Sequence, residues 1–245
     1  MKKGKLIVIE GCCDGIGKTT QYTKLIDKLE SLGYEVVKHH FPTYNTFQGK
    51  GVEEYLQGKY GNPSELSPYF IHSLYAYDRS ITWFTKLKKE YDDNKIILLD
   101  RYTTSSLFYQ SALIEDKIEK NKFIDYVVKT EYSLIGIKEP DQVIFLEAPF
   151  DVITHLRNKR NKDRQEKEDI HEKNLDFMKK VYDSSKYVSK YLGWTKIECA
   201  NGNDMKSIEE IHEEIMSKLN LKWTDLFISF LFIKLWFFLL KMIFF

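Results

Sequence analysis

A glycine-rich stretch near the start of the chain, EGCCDGIGKTTQ at residues 10–21, has the composition of a phosphate-binding loop (P-loop). In such a loop, backbone N–H groups wrap an anion at a helix N-terminus, a lysine bridges the outer phosphates and a Ser or Thr hydroxyl holds Mg²⁺. The motif has four residues between its outer glycines, whereas five separate Gly11 from Gly17. The residues predicted to bind the phosphates of ATP are Gly15, Gly17, Lys18, Thr19 and Thr20.

The extra residue of this loop lies around Cys12 and Cys13, upstream of the part that would contact phosphate. We therefore expect the phosphate-binding half to be intact and the insertion to form a bulge before Asp14. An apolar run precedes the loop, and apolar side chains recur at helical spacing after it, as the motif requires. Thr19 is the predicted hydroxyl ligand of Mg²⁺.

A second group with chemical potential, Asp100 and Arg101, directly follows the apolar run at residues 96–99. In an open α/β sheet, ligands bind at the carboxyl ends of the strands, which places both side chains beside the P-loop. There an Asp can hold Mg²⁺, and an Arg can neutralise a transferring phosphoryl group or bind an acceptor phosphate. The alternative is a buried structural ion pair between these two side chains.

The elements that must position these residues can be read from the apolar pattern. Short apolar runs at 6–9, 36–37, 96–99, 143–146 and 195–199 alternate with helical stretches. This alternation predicts an α/β fold, a doubly wound five-stranded parallel sheet with helices on both faces, of the P-loop NTPase type. Beyond the helix that follows the P-loop, we predict helices over about 68–88, 105–132, 150–160, 170–191 and 207–219.

The composition argues for small-molecule partners. Of the 245 residues, 37 are Lys or Arg and 36 are Asp or Glu, so a broad basic surface for nucleic acid is not expected. The three cysteines lack CxxC spacing and the six histidines form no ligand-spaced cluster, which disfavours a zinc site or a disulfide scaffold. The apolar run after the basic start is too short for a signal peptide, so a cytoplasmic protein is expected.

Residues 1–220 are predicted to form a single domain, within which one segment interrupts the pattern. Residues 157–172 are almost entirely charged. They form either a solvated surface segment or a mobile lid whose arginines close over phosphates.

Residues 221–245 are predicted to be an apolar tail. In the stretch 223–245, Leu, Ile and Phe supply 15 of 23 residues. The tail is consistent with a C-terminal membrane anchor, with an apolar helix packed on the body or with read-through past a stop codon. We expect a membrane association only if the tail is a real anchor.

Five stretches, in order along the chain, resemble the thymidylate kinases of the nucleoside monophosphate kinase group. They are LIVIEG with DGIGKTTQ, FP at residues 41–42, LYAYDR at 74–79, DRYTTSSLFYQ at 100–110 and EPDQVIFLEAP at 139–149. The resemblance implies ATP-dependent phosphorylation of dTMP to dTDP, Mg²⁺ as cofactor and a homodimer. Thr19 and Asp100, the two predicted Mg²⁺ ligands, lie within the matching stretches.

The resemblance also implies roles for individual residues. It places Tyr75 against the thymine ring, Arg79 at the base edge and Arg101 on the acceptor phosphate. The full set implied to bind dTMP is Asp14, Phe41, Tyr75, Arg79, Arg101, Ser105, Tyr109 and Gln110. The catalytic residues implied are Asp14, Lys18, Arg101, Arg160 and Arg164, and Arg157 is implied to stack on adenine.

This chain departs from the family pattern at two positions. Thr43 and Tyr44 stand where the family often has an arginine that grips the acceptor phosphate, and Gly15 stands where some members have a catalytic arginine. Related enzymes without the second arginine supply one from the lid, which is why Arg160 and Arg164 are candidates. Two other functions stay open at this stage: a deoxynucleoside kinase and a catalytically inactive nucleotide-binding regulator.

Overall fold

A parallel sheet of five strands positions the site. The computed structural model describes residues 4–164 and 174–221, with the backbone alone for residues 159–164. The strands are β1 (Lys5–Gly11), β2 (Val36–His40), β3 (Ile96–Asp100), β4 (Gln142–Glu147) and β5 (Thr195–Glu198). Their order in the sheet is β2-β3-β1-β4-β5, and every neighbouring pair is parallel. The predicted fold class is confirmed.

Both faces of the sheet are covered by helices, which explains why the strands are apolar at consecutive positions. Leu6 and Val8 of β1 belong to a buried cluster that includes Trp83 and Leu87. The intervening residues of β1 point to the opposite face, where they join a second cluster.

The helices are α1 (Lys18–Ser31), α2 (Lys50–Leu56), α3 (Pro68–Thr82), α4 (Lys88–Asp92), α5 (Thr103–Tyr109), α6 (Lys117–Val128), α7 (Phe150–Arg164), α8 (Leu175–Tyr191) and α9 (Ile208–Lys218). Side chains from α1 and α9 pack on one face of the sheet. A third apolar cluster joins α5, α6 and α8. The seven-residue helix α2 was not predicted from the sequence.

The prediction of one helix over 105–132 is wrong, because the chain breaks between α5 and α6. Ile114 has an extended backbone, and Asp116 caps the N-terminus of α6 by accepting hydrogen bonds from the N–H groups of Ile118 and Glu119, both at 2.9 Å. An Asp with a Glu three residues later is a helix-start signal. Asp116 and Glu119 are visible in the sequence, and they set the start of α6.

Two π-helical segments lie in helical stretches near the site. One, Trp83–Leu87, joins α3 to α4, and the other, Lys129–Ile135, extends α6. Segments of this kind are rare and occur frequently at functional sites. The helix predicted over 68–88 is therefore an α-helix only to Thr82.

Several predictions concern parts of the chain outside the described residues. They are the second half of the proposed lid, since residues 165–173 are not described, and the tail from residue 222 onward. Within residues 4–164 and 174–221, no helix has both the length and the apolar character needed to span a bilayer. A small hairpin of β6 (Ala200–Asn201) and β7 (Asp204–Met205) follows β5.

Candidate active site

The P-loop joins β1 to α1 as the sequence predicts, and the chain bends at Cys12 and Cys13, where the sequence places the extra residue. Cys12 still pairs with the sheet, since its N–H donates to the carbonyl oxygen of Leu146 at 3.0 Å. Its own carbonyl oxygen accepts a hydrogen bond from Ser185 Oγ of α8 at 3.1 Å. From Asp14 onward the loop leads to α1, which begins at Lys18.

Gly15 lies where a glycine is strongly favoured. Its φ of +100° belongs to the left-handed region that side chains avoid, and a Cβ built on it would be 3.0 Å from Cβ of Arg157. Helix α7 therefore packs against the loop at the position where some family members carry an arginine. The absence of that arginine has a steric reason in this fold.

Lys18 forms a buried ion pair with Oδ1 of Asp100. The other carboxylate oxygen of Asp100 is 3.1 Å from Nδ1 of His40 at the end of β2. Burial and, less strongly, the positive charge of Arg101 lower the pKa of Lys18 to about 7, whereas the contact with Asp100 favours the charged ammonium. The P-loop lysine is thus held at the carboxyl ends of β1 and β3.

Arg101 does not pair with its neighbour Asp100. Its Nη2 forms an ion pair with Oδ1 of Asp14, and the Tyr109 hydroxyl donates to Oδ2 of the same carboxylate at 2.9 Å. The backbone of Arg101 has a φ of +66°, a conformation that costs a non-glycine residue on the order of 1–3 kcal/mol and is concentrated at functional sites. The loop carboxylate, the arginine and the tyrosine form one connected group.

Glu10 is a buried residue of the site that the sequence reasoning missed. It is 0% exposed, and its Oε1 accepts hydrogen bonds from the hydroxyls of Thr104 at 2.8 Å and Ser105 at 2.5 Å. A charged residue at the end of an otherwise apolar strand was the available signal. Glu10 thereby orients Ser105, one of the residues implied to bind dTMP.

The aromatic residues implied to form the acceptor pocket come from different elements. Phe41 is buried after β2, next to a cis peptide bond to Pro42, with its ring 5.7 Å from that of Tyr102. Tyr75 of α3 is partly buried, with an edge-to-face contact to Tyr55 of α2 at 6.3 Å. Gln110, at the end of α5, is buried.

Arg79 has a partner that the sequence reasoning did not foresee. The side chain is 1% exposed and forms a two-point ion pair with Glu131, from Nε to Oε2 at 2.8 Å and from Nη2 to Oε1 at 2.6 Å. Glu131 lies in the π-helical segment after α6, a position that carries no motif. The implied role of Arg79 at the base edge stays a prediction.

The implied lid residues lie on or beyond α7. Arg157 is buried against the P-loop, and its Nε has no hydrogen-bond partner among the described residues. The backbone of Arg160 and Arg164 continues α7, but their side chains lie outside the described part of the chain. Their implied roles in phosphoryl transfer are therefore untested.

The residues implied to bind Mg²⁺ fit that ion. Within the described residues, no group of three or more His, Cys, Asp or Glu side chains is placed to hold a metal. Mg²⁺ in kinases is usually held by one or two carboxylates, the substrate phosphates and water. The exposed hydroxyl of Thr19 on the first turn of α1 and the carboxylate of Asp100 supply such a donor set.

Comparison with known proteins gives a consistent result. The family model "Thymidylate kinase" matches residues 9–215. The thymidylate kinase of Thermoanaerobacter sp. (strain X514) is 35% identical over 179 residues, 73% of this chain and 80% of that relative. The "Probable thymidylate kinase" of Methanocaldococcus jannaschii is 33% identical over 222 residues, 89% and 97% of the two chains.

A solved structure supports the same fold. The thymidylate kinase of Candida albicans superposes with a TM-score of 0.65 at 23% identity, covering 88% of this chain and 90% of the other. At 23% identity, this similarity shows the fold. The family match over residues 9–215 adds similarity in sequence for nearly all of the described residues. The chain belongs to the thymidylate kinase family.

Proposed function

We propose that this chain transfers the γ-phosphoryl group of ATP to the phosphate of dTMP, giving ADP and dTDP. One observation carries the proposal beyond the family match. The P-loop ion pair of Lys18 with Asp100 and the ion pair of Arg101 with Asp14 lie side by side at the carboxyl ends of β1 and β3. A donor-phosphate group and an acceptor-phosphate group thus share one site.

In this proposal the protein acts mainly by positioning and by charge. Lys18 and the loop N–H groups bind the outer phosphates of ATP, and Arg101 binds the phosphate of dTMP. Asp14 holds both Arg101 and the Tyr109 hydroxyl, so phosphate and sugar contacts are set by one carboxylate. Mg²⁺, held by Thr19 and Asp100 together with the nucleotide, would offset negative charge on the transferring group.

The proposed lid extends from Arg157 into the undescribed residues. Support for it comes from the packing of Arg157 against Gly15, which brings the start of the charged segment next to the P-loop. Arg160 or Arg164 would then supply the positive charge that Gly15 does not.

The proposal is tested by measuring ADP formation with Mg-ATP and a panel of acceptors: dTMP, dUMP, TMP, CMP, AMP and thymidine. Turnover dominated by dTMP is expected. Preferential phosphorylation of thymidine would instead identify a deoxynucleoside kinase. A folded, ATP-binding protein that phosphorylates no member of the panel would identify a regulator and contradict the proposal.

A homodimer is the proposed assembly. Phe70, Tyr77 and Phe84 are spaced by seven residues along α3 and the π-helical segment after it, so they lie along one face. All three are exposed, and Phe47 packs edge-to-face on Tyr77 at 6.3 Å. An exposed aromatic stripe of this kind favours contact with a second copy.

A cytoplasmic location and the absence of a nucleic-acid partner remain predictions from composition.

A further inference from the structure

The contacts of the Arg79 guanidinium leave one of its nitrogens, Nη1, without a short hydrogen bond. Nε and Nη2 both bind the carboxylate of Glu131, and Nη2 also donates to Ser106 Oγ at 3.0 Å. Nη1 has only a long contact, 3.5 Å, to the carbonyl oxygen of Tyr102. Since a guanidinium carries five N–H donors, Nη1 is the nitrogen with spare donor capacity.

Glu131 is itself fixed on several sides. Its Oε2 accepts a further hydrogen bond from Thr103 Oγ1 at 2.9 Å, so both carboxylate oxygens are engaged. Its backbone carbonyl oxygen accepts hydrogen bonds from the N–H groups of Gly136 and Ile137, which close the π-helical segment. Neither the carboxylate nor its backbone is free to follow Arg79 if the arginine moves.

His72 is the other titratable side chain beside this carboxylate. Its Nδ1 lies 3.7 Å from Glu131 Oε1, too far for a hydrogen bond, and the ring is buried against Phe123 and Tyr126. Burial lowers the pKa of His72 to about 4, so the ring is neutral at pH 7. The negative charge of Glu131 is therefore matched by Arg79, which makes the pair a fixed unit.

We propose that Glu131 is a positioning residue for base selection: it fixes Arg79 so that the Nη1 edge meets the pyrimidine. An edge made only of N–H groups can donate to the carbonyl oxygen at C4 of thymine or uracil, but it cannot accept from the amino group at C4 of cytosine. The inference rests on the proposed function, since it requires that dTMP is the acceptor and that Arg79 lies at its base edge.

The test is a comparison of wild type with Glu131→Gln on dTMP and dCMP under saturating Mg-ATP. The Gln side chain keeps the volume but loses the charge and turns an amide N–H₂ toward the arginine. We expect KM for dTMP to rise at least tenfold, kcat to change less than threefold and the preference for dTMP over dCMP in kcat/KM to fall at least tenfold. Glu131→Asp, which restores the charge, should recover part of that preference.

Val127→Ala is the matched control, because it removes buried volume from the neighbouring turn of α6 without touching Arg79. It should lower the melting temperature and leave the dTMP to dCMP preference within twofold of wild type. An unchanged preference in folded Glu131→Gln, or a loss no larger than in Val127→Ala, would overturn the proposal.

Milder variants decide the question if Glu131→Gln does not fold. Thr103→Val removes the hydrogen bond from a hydroxyl to the Glu131 carboxylate, and Ser106→Ala removes the hydroxyl that accepts from Arg79; both leave the ion pair in place. We expect each to lower the dTMP to dCMP preference two- to fivefold. If neither does so, Glu131 has only a structural role. Wild-type turnover of dTMP is measured in the same series, so failure of the proposed function is seen separately.

Discussion

Among the single side chains of the site, Lys18 has the most direct role in the proposed chemistry. Lys18→Ala should lower kcat with Mg-ATP and dTMP by about 10²–10³-fold, the usual cost of removing one preorganised charge at a transition state. Initial-rate measurements of ADP release are the check. Lys24→Ala is the control, because Lys24 lies on the same helix and contacts the exposed side chain of Glu209. An effect of tenfold or less would show that the irregular loop does not act as a P-loop.

The lowered pKa of His72 predicts how the stability of the fold depends on pH. Its folded pKa of about 4 lies below the ordinary value of 6.5, so between these pH values the unfolded chain binds more protons than the folded one. Stability is therefore present above pH 6.5 and is lost as the pH falls toward 4, by about 3 kcal/mol for this residue. Urea unfolding of wild type and His72→Gln at pH 7 and pH 4 measures the difference.

The His72→Gln variant should lose less stability between pH 7 and pH 4 than the wild type does. His155→Gln serves as its control, because His155 is an exposed residue of α7. Equal acid losses in wild type and His72→Gln would mean that another group accounts for the dependence. The prediction concerns stability and is independent of the proposed reaction.

Individual residues also show the limits of the sequence. The motif residues Lys18 and Asp100 could be found because their types and places in a strand–loop–helix unit are dictated by phosphate binding. Glu131 could not, because it follows a break between α5 and α6 and lies in a π-helical segment that periodicity does not reveal. Its partner Arg79 was identified, but the ion pair depends on tertiary packing.

Among the secondary-structure elements, the contact between the P-loop and α7 gives a prediction at Gly15. Gly15→Ala places a Cβ at φ +100° and 3.0 Å from Cβ of Arg157, so the loop or the helix must shift. We expect KM for ATP to rise about five- to tenfold, with a loss of about 1–2 kcal/mol in stability. Steady-state kinetics and urea unfolding measure the two effects.

Gly193→Ala is the control that separates the effect of backbone strain from the effect of the close contact with α7. Gly193 also has a positive φ, +65°, but a Cβ there would meet nothing within 4 Å. It should lower stability to a similar extent and leave KM for ATP unchanged. Similar values of KM in both variants would show that the approach of α7 to the loop is unimportant for ATP binding.

The central strands β1, β3 and β4 were predictable because they are buried on both faces and therefore read as apolar runs, whereas the edge strands β2 and β5 are only partly buried. The helices were predicted less well, since α2 is short and the break before α6 depends on one capping residue, Asp116. Periodicity also cannot distinguish an α-turn from a π-turn, which changes the register by one residue. The elements that build the sheet were thus easier to find than those that close the acceptor pocket.

For the whole molecule, the aromatic stripe of Phe70, Tyr77 and Phe84 predicts a homodimer. Phe84→Glu should convert a dimer into a monomer, because a charge placed in an apolar contact between subunits loses its hydration. Sedimentation velocity over a range of protein concentrations gives the result. Tyr191→Glu, at an equally exposed aromatic residue of α8, should leave the assembly unchanged. A wild-type protein that is monomeric at all concentrations would contradict the proposed homodimer.

The closeness of Gly15 and Arg157 bears on the ways in which sequences of this family can diverge. An arginine gained at position 15 would require a disfavoured φ and would place its Cβ 3.0 Å from Cβ of Arg157 in α7. Withdrawing α7 first would take the start of the charged segment away from the loop. A single change on either side therefore disturbs the packing of Gly15 against Arg157, so we expect a side chain at position 15 to be accompanied by a compensating change in α7.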